Sequence, residues 1–451
     1  MIQSNDNSKK MLNTKTILFT ALLTTSIFIS SCDHNIDEAP QDPNLIKNAI
    51  FESMQEWYYW NDQLPSVVNI DNYGSNEELL YNLMYLKYDR WSYLTTKEAF
   101  EKAFTGQNAG HGFGFGLNAE NELFISFVYE ESPAGQDGWQ RGWQLLEING
   151  KPISAYESDG GYNFELGENT PGISNTFTFK LPDGSTTTRT SLKDNYQANS
   201  VLHKEIFEER DKKIGYWVYN SFKATANLSP TKSLEVEETL KFFEDGNIDE
   251  LIIDLRYNGG GSVDVAEQIM NALVPTSADG KLMYTNDFNP DKASLNDSYN
   301  FERTNNLTLD KLVLITSRGS ASSSELLINC LKPYMEVILV GEQTYGKPVG
   351  SFPLSSYNSV LDQNNVELVP ITFAIANAEG EAEYYEGFPA DILAADDPSI
   401  NWGNPADERL SAAISYLMFG NLSPTSRTTP FKSNWQMIDG FTGLQQEFPV
   451  Y

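Results

Sequence analysis

The sequence predicts an α/β fold, and three observations predict it. From about Val201 onward, strand-like and helix-like segments alternate, as in parallel βαβ units. One of them, "DELIIDLRYN" from Asp249, is almost wholly apolar over its strand, the pattern of a strand covered on both faces. Two small-residue turns, "RYNGGGS" and "TSRGSASSSELL", follow predicted strands, and ligand sites in such sheets lie beyond the carboxyl ends of strands.

The chain begins differently. Lys9, Lys10 and Lys15 precede "TILFTALLTTSIFIS", an apolar run suited to a signal-peptide core and short for a membrane span, which ends at "ISSC". This looks like a lipoprotein signal over residues 1–31, with Cys32 as the lipidated first residue of the mature chain. An ordinary secretory signal cleaved nearby is the alternative; both imply export. The expected location is the envelope of a bacterium, on a periplasmic or surface face, with a lipid anchor to the membrane. After cleavage only Cys330 accompanies Cys32, so an internal disulfide is not expected. The acidic, proline-containing stretch up to residue 44 reads as a tether. Acidic residues outnumber basic ones 62 to 31, and a formal charge of −31 argues against a nucleic-acid partner.

Residues 45–105 carry apolar side chains at helical spacing, as in "IKNAIFESMQEWYYW" and "NEELLYNLMYL", and predict a small helical domain. Its aromatics, Trp57, Tyr58, Trp60, Trp91 and Tyr93, read as packed core rather than a ligand box. Residues 106–195 predict a β-rich domain. "FGFGLN", "ELFISFVYE" and "WQLLEING" read as strands, and "NTFTFKLPDGSTTTRTSL" reads as a hairpin turning at Asp183-Gly184. With "SPAGQDGWQRGWQLLEINGKPI", this region resembles a PDZ domain. The resemblance implies that Gly112, Phe113, Gly114, Phe115 and Gly116 form a peptide-binding loop and strand. Their N–H groups would take a terminal carboxylate, and the strand edge would add the peptide by β-augmentation. No groove-lining helix is evident in "SAYESDGGYNFELGEN". A small β-domain that only spaces its neighbours is the alternative.

Residues 200–420 hold the predicted α/β core, followed by a tail at 421–451. The serines of the second turn run into a helix N-terminus, where they can cap the helix or where partial positive charge can stabilise an oxyanion. A nucleophilic serine needs a base. The three histidines, His34, His111 and His203, lie away from the strand ends of this region, so Lys347 is the expected base. To accept a proton it must be neutral, which calls for a buried amine, and Gly346 and Pro348 suit a tight, buried loop. Gly341, Gly346 and Lys347 also have phosphate-loop spacing, but Pro348 stands where that loop needs Ser or Thr, so no nucleotide is expected.

"GSASSSE", Lys347 in "TYGK", "DLRYNGGG" and "EYYEGFPADILA" together resemble peptidase family S41, the carboxyl-terminal processing or tail-specific peptidases, over about residues 110–420. The resemblance implies a ClpP/crotonase-like peptidase core with a PDZ domain. It makes Ser322 the nucleophile and Lys347 its general base, with the N–H groups of Ser323 and Gly260 as the oxyanion hole. Where many members carry a Gln that orients the lysine, this chain has Ser351. The implied activity is a serine endopeptidase acting on polypeptides with unstructured or free C-terminal ends, with no metal and no cofactor. A catalytically inactive, peptide-binding lipoprotein and a cell-wall peptide amidase are the alternatives.

Overall fold

The structure, a computed structural model, describes residues 44–420 apart from 159, 160, 229, 230 and 310. The expected signal peptide with its Cys32, nearly all of the tether, and the tail lie outside the described residues.

The first helices form as their periodicity predicts. In α1 (Leu45–Trp57), Ala49, Ile50, Ser53, Met54 and Trp57 make one buried stripe. Ser75 caps α2 (Asn76–Leu83) by accepting the Glu78 N–H at 3.1 Å, and Thr96 caps α3 (Lys97–Phe104) by accepting the Ala99 N–H at 3.1 Å. Tyr58 and Trp91 are core residues, as expected. The partners of that core lie at the other end of the chain: Val349, Leu354, Leu361, Leu368 and Ile371. Tyr93–Thr95 also pairs antiparallel with Glu367–Val369. The helical segment therefore shares its core with the α/β region.

The β-rich region builds an antiparallel sheet from β1 (Phe113–Leu117), β2 (Leu123–Val128), β3 (Gln144–Ile148), β4 (Ser174–Lys180) and β5 (Thr186–Leu192). Their order is β5-β4-β3-β2-β1, with Lys151–Pro152 also paired to β3. Gly184 takes φ 84° in the expected hairpin turn. Strand β1 is at the edge of this sheet, and its Phe113 and Phe115 are buried. A 3-10 turn, Ile153–Tyr156, and the strand pair Glu157–Ser158 and Gly161–Tyr162 stand where a groove-lining helix would lie. Beyond them, the Phe164 ring packs 4.8 Å from that of Phe115.

Two layers of helix enclose the core sheet. Its elements are β6 (Val201–Glu209), β7 (Lys212–Tyr219), α4 (Leu234–Gly246), β8 (Glu250–Asp254) and α5 (Val263–Leu273). After β9 (Leu282–Phe288) and β10 (Ser298–Asn300) come β11 (Lys311–Thr316), α6 (Ser323–Leu331) and β12 (Glu336–Gly341). Then follow β13 (Val349–Ser351), β14 (Ile371–Asn377), β15 (Ile392–Leu393) and α7 (Glu408–Phe419). The main sheet runs β6-β7-β8-β11-β12-β15 and is parallel from β7 onward; a second sheet runs β10-β9-β14-β13. Alternate side chains serve opposite faces. Trp217, Leu251, Ile253, Leu312, Leu314 and Leu339 pack with α4, α5 and α6. Tyr216, Ile252, Val313, Ile315, Ile338 and Val340 pack on the other face with α7.

Candidate active site

Three adjacent parallel strands, β8, β11 and β12, deliver the glycine turn, the serine turn and the Lys347 loop to one end of the sheet. The serine turn is fastened by its own hydroxyls. Ser320 Oγ donates to Leu255 O at 2.7 Å, Ser323 Oγ to Gly261 O at 2.8 Å, and Ser324 Oγ to Asn258 O at 3.0 Å. Ser317 Oγ donates to Arg256 O. The Ala321 N–H adds a bond to Asn258 O at 3.1 Å. These bonds hold Ser322 at φ 54°, ψ −115°, a conformation that costs a non-glycine residue on the order of 1–3 kcal/mol and that clusters at functional sites.

Ser322 and Lys347 line the same small cavity of about 20 Å³, walled by Val263, Leu326, Val349 and Tyr384. Lys347 is only 5% exposed, so the structure brings together the two residues that the sequence singled out. Gly346 takes φ 95°, and a Cβ there would lie 2.2 Å from Tyr385 O, which is why the tight loop needs glycine. Ser351 ends β13 opposite Ile371, two residues past Val349 and outside the residues that line the cavity.

Gly260 lies against the nucleophile turn: a Cβ on it would come 2.7 Å from Ser322 Cβ and 3.2 Å from the Ser323 nitrogen. Its N–H, however, donates to Asn258 Oδ1 at 2.9 Å. Ser323 is the first residue of α6, where an N–H has no acceptor within its own helix.

The residue that sequence reasoning missed is Glu325. It is fully buried, and one carboxylate oxygen accepts from Thr344 Oγ1 at 2.6 Å and from the Gly346 N–H at 2.7 Å. The other accepts from the Lys347 N–H at 2.8 Å and the Ser322 N–H at 3.1 Å. One side chain thus ties the main chain of the serine turn to that of the lysine loop. Burial pushes its carboxyl up to about 7, against the pull of those four donors. The signal was present as Ser-x-x-Glu at a helix start, the pattern of a capping box.

Behind the turn, the fully buried Arg256 of the "DLR" stretch pairs with Asp254 at 2.6 Å, Asp396 at 2.7 Å and Asp407 at 2.8 Å. Arg141 of the β-rich region reaches the same Asp396 at 3.1 Å. Burial alone would raise Asp396, but Arg256 and Arg141 beside it hold its carboxyl well below the usual carboxylate range.

In the β-rich region, Gly112 takes φ 83°, and a Cβ there would overlap the Ser132 side chain. Its carbonyl accepts from the Tyr129 N–H at 2.9 Å and from Ser132 Oγ at 3.1 Å. Gly114 lies under the Phe127 ring and Gly116 beside Pro398, so the glycines of this strand admit close neighbours. Among the described residues no group of His, Cys, Asp and Glu is placed to hold a metal, and no helix is long and apolar enough to cross a membrane.

A strained serine and a buried lysine thus converge beyond the strand ends of a parallel sheet. Residues 213–368 match the model of peptidase family S41, and residues 46–93 match the peptidase S41 N-terminal domain. The chain thus carries two domains of peptidase family S41. Among curated proteins it is 27% identical over 272 residues to carboxyl-terminal-processing peptidase 3, chloroplastic, of Arabidopsis thaliana, covering 57% of this chain and 50% of that one. It is 25% identical over 342 residues to a CtpA-like serine protease of Staphylococcus aureus, covering 74% of this chain and 63% of that one. The chain thus spans half to under two thirds of the length of these relatives. A crystal structure of an S41 protease from Bacteroides fragilis NCTC 9343 shares the fold, with a TM-score of 0.65 at 23% identity, covering 82% of this chain and 97% of that one.

Proposed function

We propose that this chain is a serine endopeptidase that cleaves loosely folded polypeptides through a Ser322/Lys347 dyad. The observation that carries the reading is the convergence of a positive-φ serine and a nearly buried lysine on one small cavity. Ser322 Oγ attacks the scissile carbonyl carbon as its proton passes to Lys347 Nζ. The carbonyl oxygen, now an oxyanion, takes hydrogen bonds from the Ser323 N–H and from an amide of the glycine turn. Lys347 then gives the proton to the leaving amine as the C–N bond breaks. Water, deprotonated by the same lysine, hydrolyses the acyl ester and restores Ser322. None of these steps calls for a metal, a cofactor or a nucleotide.

Val263, Leu326, Val349 and Tyr384 around the dyad favour an apolar side chain next to the cleaved bond. The β-rich region, read as a PDZ-like module, would present the edge of β1 to a peptide end, and the names of the curated relatives support carboxyl-terminal processing. Phe164 packed on Phe115 would give that edge an aromatic wall in place of a helix. Cys32 would carry the lipid that keeps the enzyme at the envelope. An active-serine fluorophosphonate together with unfolded and folded forms of one protein tests the activity. Labelling and digestion of the unfolded form by wild type, both lost in Ser322→Ala, are expected; digestion that survives Ser322→Ala would overturn the reading.

A further inference from the structure

We propose that Arg90 and Arg318 form a carboxylate-binding subsite beside the Lys347 loop, which selects polypeptides carrying a negative charge about three residues from the cleaved bond. The assignment deepens the peptidase reading and rests on it. Both arginines are held against the segment that leads into Lys347. Arg90 is exposed, and its guanidinium lies 5.0 Å from the ring centres of both Trp91 and Tyr345. One of its nitrogens donates to Tyr385 O at 3.4 Å. Arg318, half-buried in the serine turn, donates to Thr344 O at 3.1 Å. The Tyr345 N–H donates to Ser320 O at 2.9 Å, which joins the turn that bears Arg318 to the loop on which Arg90 is stacked.

Among the described residues neither arginine has a carboxylate partner, in a chain whose acidic residues outnumber basic ones 62 to 31. The buried Arg141 and Arg256, by contrast, are both paired with Asp396. Asp89, next to Arg90 in the chain, is turned inward and accepts from the Tyr58 hydroxyl at 2.7 Å and the Ser92 hydroxyl at 2.6 Å. Glu383, the other carboxylate near this surface, acts on Tyr385 and Tyr59. Stacking uses the faces of the Arg90 guanidinium and leaves the N–H groups of its edge, the fork that matches a carboxylate. The rings beneath it, with Tyr385 4.7 Å from Tyr88 and 6.4 Å from Trp91, keep water from one side and strengthen an ion pair formed there. The subsite is within reach of the bond to be cut. Tyr385 O lies 2.2 Å from the place of a Cβ on Gly346, which puts the bonded Arg90 nitrogen within about 7 Å of the Gly346 Cα. A substrate chain attacked by Ser322 crosses that span and the step from Lys347 in about three extended residues. The carboxylate comes either from an acidic side chain of the substrate or from its free C-terminus.

The test compares matched peptides in the full-length enzyme. One pair differs by Asp against Asn three residues before the cleaved bond; the other ends three residues after it, in a free carboxylate or in its amide. In wild type the carboxylate member of at least one pair should have a KM about tenfold lower than its neutral twin, with kcat within about twofold, and the gap should narrow as salt is raised. The pair that shows the gap identifies the source of the carboxylate. In Arg90→Gln the gap should close to within about twofold while the neutral peptides keep their wild-type KM, and Arg90→Lys, which keeps the charge without the fork, should restore part of it. Equal KM within both pairs in wild type, or a gap that survives in Arg90→Gln, would overturn the assignment. So would a loss of the neutral peptides together with the charged ones, which would make Arg90 a packing residue. Fluorescence anisotropy of the same peptides on Ser322→Ala reads the subsite without turnover. A preference for the carboxylate there, with no Ser322-dependent hydrolysis in wild type, would remove the peptidase reading and leave the subsite, so the two failures are distinguishable.

Discussion

Two buried lysines, Lys347 and Lys223, follow strands of the core sheet, and of the two only Lys347 lines a cavity with Ser322. Lys347 follows β12 and shares its cavity with Ser322. Lys223 follows β7, fully buried where the β-rich region meets the core, with its amine 3.4 Å from the Tyr129 hydroxyl. Burial pushes the Lys223 amine down to about 7, opposed by Glu235. A neutral amine is therefore not by itself a catalytic base. The distinction lies in what each lysine loop is tied to: Glu325 binds the main chain of Lys347 to that of Ser322, whereas Asn220 binds its own segment to Tyr129 at 2.6 Å.

The largest expected contrast is in turnover. Lys347→Ala should lower kcat by about 1,000-fold or more, within the range for loss of a positioned proton acceptor, while Lys223→Met should leave kcat within about threefold. Steady-state hydrolysis of an unfolded polypeptide measures both, and equal losses would dissolve the contrast.

Stability should run the other way. In the folded chain the Lys223 amine titrates near 7, below its unfolded value, so its favourable share of stability is complete only above the unfolded value near 10.5 and is lost as pH falls toward 7. The groups that act on it are Glu235 and the Tyr129 hydroxyl. Lys223→Met should therefore stabilise the chain at pH 7 by about 2 kcal/mol and flatten the rise in Tm between pH 7 and 10. A destabilised variant would show that the amine is needed for packing.

A smaller effect concerns Glu325, whose carboxyl titrates near 7. Its ionised form accepts all four bonds, so kcat should fall as pH drops below about 7. In Glu325→Gln kcat should be about tenfold lower and should lose that limb of the pH profile. Retention of the limb would place the titrating group elsewhere.

The smallest effect lies in the β-rich region. His111 is buried, with Nδ1 on Ser191 at 2.8 Å and Nε2 accepting from Asn175 at 3.0 Å, and burial, with Lys193 adding to it, lowers its value to about 3. Its share of stability is present above about 6.5 and is lost as pH falls toward 3. His111→Gln should be about 1 kcal/mol less stable than wild type at pH 7.5 and show a shallower acid transition. An unchanged acid transition would assign that loss to other groups.

Much of this was legible in the sequence because periodicity and turn composition are local. The apolar run at Leu251–Ile253, the serine turn and the Lys347 loop place Ser322 and Lys347 beyond neighbouring strand ends, and they lie there. What escaped depends on contacts between distant segments. Nothing near Trp57 or Leu79 announces that their core is completed by Leu354 and Leu368. Glu325 looks like a helix cap until the loop around Gly346 supplies its other donors. The bond from the Gly260 N–H to the Asn258 side chain is likewise a contact that the glycine triplet does not announce.

The dyad itself is tested most directly by intact-mass measurement of fluorophosphonate labelling over time in wild type, Lys347→Ala and Lys347→Arg. A guanidinium stays protonated and cannot take the Ser322 proton. One adduct located on Ser322 is expected in wild type, with both variants folded and unlabelled over the same interval. Labelling of Ser322 in Lys347→Arg at the wild-type rate would contradict the assignment of Lys347 as the base.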